Sequence, residues 1–118
     1  MYESSQNTTY DDQWYLDSGA TNHLTPDLSN LGSKSDYTGQ EKITIGNGQV
    51  IGINHTGTSY FLTPMSSKIF TLKDLLHVPQ ATKNMLSVSK FCRDNKVYIE
   101  FHTHHCLVKS QDSKETLL

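Results

Sequence analysis

The dipeptide Asn47-Gly48 lies between two runs rich in β-branched residues, Lys42-Ile43-Thr44-Ile45-Gly46 and Gln49-Val50-Ile51-Gly52-Ile53. No other local feature constrains the chain as much. Asn-Gly favours a two-residue turn of type I′, whose central positions both need φ > 0, so the flanking runs are predicted to pair as a hairpin. In that register Ile45 opposes Val50 and Thr44 opposes Ile51. Gly46 and Gly48 leave the tip thin and mobile. Gly52 and Gly57 point to bends or close backbone approaches nearby.

Other segments extend the β reading. Residues 14–16, 58–62, 69–72, 75–78 and 97–101 read as strands, with residues 106–108 as a further one. Residues 21–36 are rich in Thr, Asn, Ser, Pro and Gly and read as mostly loop, with one helical turn over residues 26–31. Residues 64–68 make a turn and residues 80–84 a polar loop. From Met85 the period changes to about 3.6. Met85, Val88 and Cys92 then share a face with Leu86 and Phe91 beside it. Asn84 or Ser87 caps that helix, and Asp94-Asn95 ends it. The expected fold is all-β in the main, with one short late helix.

A chain of 118 residues suits one domain. With 35% apolar residues and a mean hydropathy of -0.53, it has little core to spare, and burial in an oligomer fits that shortage. The net charge of -2 and the absence of a basic stripe argue against direct contact with nucleic acid. No apolar run approaches the ~18 residues of a membrane span. Residues 1–13 are polar and read as a flexible lead without a signal peptide. The two cysteines, Cys92 and Cys106, read as reduced thiols of an intracellular protein.

The candidate chemistry lies where Trp14-Tyr15-Leu16 runs into Asp17-Ser18-Gly19-Ala20. Strands avoid Asp and Gly, so the chain leaves its strand there in a tight loop. Alone, Asp17 reads as a turn residue closing an Asx-type turn. A catalytic carboxylate needs more: an apolar strand before it, a small residue after it, a glycine-tipped hairpin downstream and an apolar segment leading into a helix. This chain has all four in that order.

Residues 14–23, WYLDSGATNH, resemble the active-site segment of retropepsin-type aspartic proteases, in particular the copia-type branch of long-terminal-repeat retrotransposon polyproteins. The likeness continues through Ile43-Thr44-Ile45-Gly46-Asn47-Gly48, His55-Thr56-Gly57, Leu76-His77-Val78-Pro79, Lys83-Asn84-Met85-Leu86-Ser87-Val88, Glu100-Phe101 and Cys106-Leu107-Val108-Lys109. The resemblance implies a small closed β-barrel with one short C-terminal helix, working as a homodimer. The domain would span residues 14–108, between a flexible linker of residues 1–13 and a polar segment of residues 109–118 leading toward the next polyprotein region. Asp17 would pair with Asp17 of a second chain and activate water for peptide hydrolysis. The lack of an internal Asp-Ser-Gly repeat fits, since one chain would supply half a dyad. By the same resemblance, Ser18 would hydrogen-bond across the dimer, Gly19 would allow close approach, and Ala20 would line the site. Gly46, Asn47, Gly48 and Gln49 would form a flap over an extended peptide. The implied substrate is the chain's own Gag-Pol polyprotein, in the cytoplasm within virus-like particles, with no cofactor and no metal.

Two departures limit the carry-over. Retroviral members have a glycine just before the late helix, where this chain has Met85-Leu86-Ser87-Val88, so the packing of helix on loop is not transferred. Thr21 replaces an aspartate, and the substrate contact of that aspartate is not transferred either. His77 reads as a hydrogen-bonded structural histidine, and His23, near Asp17, as a residue either orienting the loop or tuning the dyad. Cys92 reads as core. Two rival functions remain open at this stage. One is a catalytically inactive or host-adopted module that keeps the barrel for dimerisation or peptide binding. The other is a metal site at His102-Thr103-His104-His105-Cys106, although no C-x-x-C or H-E-x-x-H spacing accompanies it. In a strand, His102 and His104 would share a face there.

Overall fold

A computed structural model describes residues 11–44, 47–62 and 68–117. Its strands are β1 (Asp11–Asp17), β2 (Leu24–Thr25), β3 (Ser33–Asp36), β4 (Ile43–Thr44), β5 (Val50–Ile51), β6 (His55–Leu62), β7 (Ile69–His77), β8 (Lys83–Ser87), β9 (Val97–Phe101) and β10 (Cys106–Ser110). One helix, α1 (Val88–Asn95), lies between β8 and β9. Six strands form a sheet in the order β1-β8-β2-β7-β6-β3, and β4-β5 and β9-β10 form two ribbons. The mainly β fold with one short late helix is therefore present. Among the described residues the expected closed barrel takes the form of an open sheet with β1 and β3 at its ends. None of the described helices is long and apolar enough to cross a membrane.

Several elements differ from the sequence expectation. β1 starts at Asp11, before the apolar run, because backbone pairing with β8 extends to Asp11 opposite Lys83. β2 and β3 lie within the segment expected to be mostly loop. β2 is two residues wedged between β7 and β8, and β3 is fully exposed Ser-Lys-Ser-Asp held by antiparallel pairing with β6. Neither has a hydrophobic pattern to reveal it. The helical turn appears as a 3-10 turn, Leu28–Asn30, capped by the Asp27 carboxylate, which accepts from the Ser29 N–H.

The two strands expected at residues 69–72 and 75–78 are one strand, β7, with a bulge. Gly57 faces Leu75 and Ser59 faces Leu72, so Lys73 and Asp74 together oppose Thr58. Asp74 takes a left-handed φ of 53° to absorb the extra residue. The helix also starts later than its periodicity suggests. Met85 and Leu86 belong to β8, and of the two proposed caps Ser87 serves, its Oγ accepting from the Lys90 N–H. The helix ends at Asn95, as expected, closed by Lys96 in the left-handed conformation with φ 56°.

The hairpin forms one residue out of the expected register: Ile43 pairs with Ile51 and Thr44 with Val50. The pairing proposed for Ile45, the tip glycine Gly46 and most of the turn at residues 64–68 lie outside the described residues. Gly48 takes a positive φ of 86°. The Asn47 side chain accepts from the Gln49 N–H at 2.8 Å. The physical reason for the shift is burial. A one-residue slip exchanges the two faces of a strand. The observed register puts Ile43 and Ile51 together over Leu76 and Val78, while the predicted one would set Thr44 opposite Ile51.

The core has two parts. Ile51, Leu76 and Val78 form one, under the hairpin. Phe70, Leu72, Leu86, Phe91, Val97, Val108 and Leu117 form the other, under α1. Leu117 enters it because the polar segment after β10 folds back, with Lys109 bridged to Thr116. Buried Asn95 docks α1 on β7 by donating to the Thr71 carbonyl and accepting from the Thr71 N–H, at 2.9 and 2.8 Å.

Candidate functional site

Strand order explains where Asp17 sits. β1 runs parallel to β8 and ends with Asp17 opposite Ser87. β2 flanks the other side of β8, with Leu24 opposite Met85. The connection through residues 18–23 must therefore cross the end of β8 where α1 begins. Buried polar contacts hold the flanking strands in place. Thr25 Oγ1 donates to Asn84 Oδ1 at 2.6 Å, and Asn84 Nδ2 donates to the Gln13 carbonyl at 3.3 Å.

The loop itself is tight. Asp17 Oδ1 accepts from the Gly19 N–H at 2.8 Å, the Asx-type turn expected of the sequence. A Cβ on Gly19 would meet only Asp17 Oδ1, at an ordinary 3.5 Å, and the residue has no positive φ. The close approach expected at Gly19 is thus not made within this chain. Ser18 is exposed, and its hydroxyl has no hydrogen-bond partner among the described residues.

Opposite this loop stands the β4-β5 hairpin. A cleft of about 820 Å³ is lined by Asp17, Gly19 and Ala20 on one side and by Thr44, Asn47 and Ile51 on the other. Asp17, Gly19 and Ala20 of the expected active-site loop thus share one cavity with Asn47 of the expected flap; Ser18 is exposed and does not line it, and Gly48 and Gln49 are exposed at the hairpin tip. The base of the hairpin is anchored through buried Ile51, while Val50 is 56% exposed. Sequence reasoning missed a third wall, formed by Gln80, Thr82 and Lys83 with Met85. Polar loop residues carry no pattern that announces such a role.

The floor of the loop is built by Ser87 and His23. The Ser87 hydroxyl donates to the Ala20 carbonyl at 2.7 Å, and the Ser87 N–H donates to His23 Nδ1 at 2.9 Å. Ser87 thus joins loop to helix. Burial of His23 lowers its pKa to about 4, with the Lys90 ammonium adding to the effect and Asp94 and Asp74 opposing it.

The remaining candidates are dispersed. His77 is buried and structural, with its Nδ1 2.8 Å from His55 Nδ1. Burial and the neighbouring His55 ring both lower the His77 pKa. The segment from His102 to His105 forms the exposed turn between β9 and β10 rather than strand, so the expected alternation of faces does not apply. His102 and His105 stack there at 4.6 Å, and the His102 ring contacts Glu100 Oε1 at 2.8 Å. Among the described residues no group of three or more His, Cys, Asp or Glu is placed to hold a metal ion. Cys92 packs on the core under α1, and burial raises its thiol pKa.

Comparison with known proteins adds a family. The model described as "Pol polyprotein, beta-barrel domain" matches residues 14–98. The "Retrovirus-related Pol polyprotein from transposon RE2" of Arabidopsis thaliana is 40% identical over 105 residues, covering 89% of this chain and 7% of that protein. Its counterpart from transposon RE1 of the same plant is 38% identical over the same shares. The chain therefore spans a small fraction of the curated relatives that it matches. No solved structure matches it.

Proposed function

The chain belongs to the Pol polyprotein beta-barrel domain family, and from that premise we propose that this retrotransposon Pol segment is an aspartic endopeptidase acting as a homodimer. The observation that carries the reading is the single cleft shared by the Asp17 loop and the β4-β5 hairpin. A carboxylate at the end of a paired strand faces a hairpin whose base is anchored through buried Ile51. That is the arrangement a water-activating acid under a movable cover needs.

In the proposed mechanism Asp17 of each copy meets its symmetry mate. Two carboxylates ~3 Å apart cannot both ionise, as is general for aspartic dyads, so the pair holds one proton. The ionised member takes a proton from the attacking water, and the protonated member donates to the scissile carbonyl. No covalent enzyme intermediate forms. The Ser18 hydroxyl, unpartnered within the described chain, would bond across the dimer. Gly19, which makes no close approach here, would admit the second loop. The hairpin would pair with the backbone of an extended peptide and limit water access. The substrate would be the parent Gag-Pol polyprotein inside virus-like particles in the cytoplasm.

The direct test is incubation of the wild-type and Asp17→Ala proteins with the adjoining Gag-Pol segment. Defined fragments from the wild type and none from the folded variant are expected. Equal processing by both, or none by the wild type at any concentration, would reject the reading.

A further inference from the structure

His23 is fully buried, yet its ring is only half satisfied. Nδ1 accepts the Ser87 N–H at 2.9 Å, while Nε2 has no partner among the described residues. An acceptor at Nδ1 requires the neutral ring to carry its proton on Nε2. That N–H is therefore buried without an acceptor, which opposes stability. An apolar side chain would avoid this penalty but would strand the Ser87 N–H. The feature that only a side-chain acceptor supplies here is the grip on Ser87.

Ser87 is the point where three elements meet. Its backbone pairs with Asp17 at the end of β1, its hydroxyl donates to the Ala20 carbonyl at 2.7 Å, and the same oxygen accepts from the Lys90 N–H at 3.3 Å as the helix cap. The His23 backbone is fixed as well, since its carbonyl accepts from the Leu76 N–H at 3.0 Å. The chain of contacts runs from β7 through His23 and Ser87 to Ala20, three residues beyond Asp17.

We propose that His23 is a positioning residue for the Asp17 loop: its Nδ1 fixes Ser87, and the Ser87 hydroxyl fixes the Ala20 carbonyl and so the direction of the Asp17 carboxylate. This deepens, and rests on, the proteolytic reading of the cleft. His23 touches no substrate; it acts through Ser87. A carboxylate displaced by about 1 Å costs on the order of 100-fold in rate without abolishing binding.

Three variants test it. His23→Leu removes the acceptor, His23→Asn keeps an acceptor oxygen near the Nδ1 position, and Ser87→Ala removes the hydroxyl that both links to Ala20 and caps the helix at Lys90. On the polyprotein substrate, His23→Leu and Ser87→Ala are expected to lower kcat by on the order of 100-fold with KM held within about twofold, and His23→Asn to recover most of the loss. Amide hydrogen exchange gives a readout independent of catalysis. The Ser87 amide is expected to exchange about tenfold or more faster in His23→Leu, and the Ala20 amide, which closes the turn on the Asp17 carbonyl at 3.4 Å, likewise in Ser87→Ala as that turn loosens. A kcat loss that only follows the fraction of folded protein, or unchanged exchange at both amides, overturns the proposal. If His23→Leu does not fold, Ser87→Ala and His23→Asn decide by the same criteria. If the wild type cleaves nothing, the proteolytic reading fails, and with it the role in catalysis, while the exchange rates show separately whether the tether exists.

Discussion

At the scale of single residues, Asp17 and His23 separate chemistry from stability. The Asp17 carboxylate accepts one local hydrogen bond, from the Gly19 N–H, in an exposed turn. Such a bond contributes about 1 kcal/mol, and Asn keeps an equivalent acceptor. Asp17→Asn is therefore expected to melt within a few degrees of the wild type while cleavage disappears; calorimetry beside a cleavage assay checks both. His23 acts in the other direction. Its pKa falls from the ordinary 6.5 to about 4 in the folded chain because the charged ring is desolvated by burial. Between those values the unfolded state binds a proton that the folded state refuses, so stability falls as the pH drops through this window and levels off below it. The full loss is about 3 kcal/mol. His23→Asn does not titrate. Urea unfolding from pH 7 to pH 4 is expected to show the wild type losing that amount relative to the variant, and parallel curves would contradict the assignment. Protonation would also place a hydrogen on Nδ1 facing the Ser87 N–H, which breaks the contact.

At the scale of elements, glycine marks where backbone contacts matter. Gly52 and Gly57 look alike in the sequence, but only one is constrained. A Cβ at Gly57 would collide with the Ser33 carbonyl oxygen, where β3 pairs with β6; one at Gly52 would meet nothing within 4 Å. Gly57→Ala is expected to cost about 1–3 kcal/mol by forcing β3 away, and Gly52→Ala to be close to neutral. Chemical denaturation of the two variants side by side measures the difference. The same contrast shows what a sequence can convey. Strands with apolar alternation, the helical turn within residues 26–31, the Ser87 cap and the halt at Asn95 were legible because local chemistry determines them. β3 was not, because four exposed polar residues become a strand only through pairing with β6. The hairpin was legible in kind but not in register. Turn preference alone favours Asn47 and Gly48 as the two central residues, whereas burial of Ile43 with Ile51 selects the neighbouring register. Within the candidate site, the Asp17 loop was readable from its motif. The joint between Ser87 and Ala20 was not, since it depends on β1 and β2 flanking β8.

At the scale of the whole molecule, the question is why one chain carries a single Asp-Ser-Gly loop whose serine hydroxyl has no partner among the described residues and whose glycine makes no close approach to another element. β1 is an edge strand of the described sheet, and Trp14, Tyr15 and Leu16 beside Asp17 are 37%, 37% and 42% exposed. Three consecutive half-exposed apolar residues on a sheet edge favour association. If the site is completed by a second copy, catalysis depends on who that copy is. Co-refolding equal amounts of wild type and Asp17→Asn should leave only about one quarter of two-fold dimers with both carboxylates, so activity should fall to about one quarter of an all-wild-type sample at the same total concentration. A monomeric enzyme would retain about one half, because each wild-type chain would act alone. Dilution gives an independent check. Well below the dissociation constant, dimer concentration scales with the square of chain concentration, so a tenfold dilution should lower activity by about 100-fold. Linear loss on dilution together with half activity in the mixture would place the whole site in one chain and refute the shared dyad.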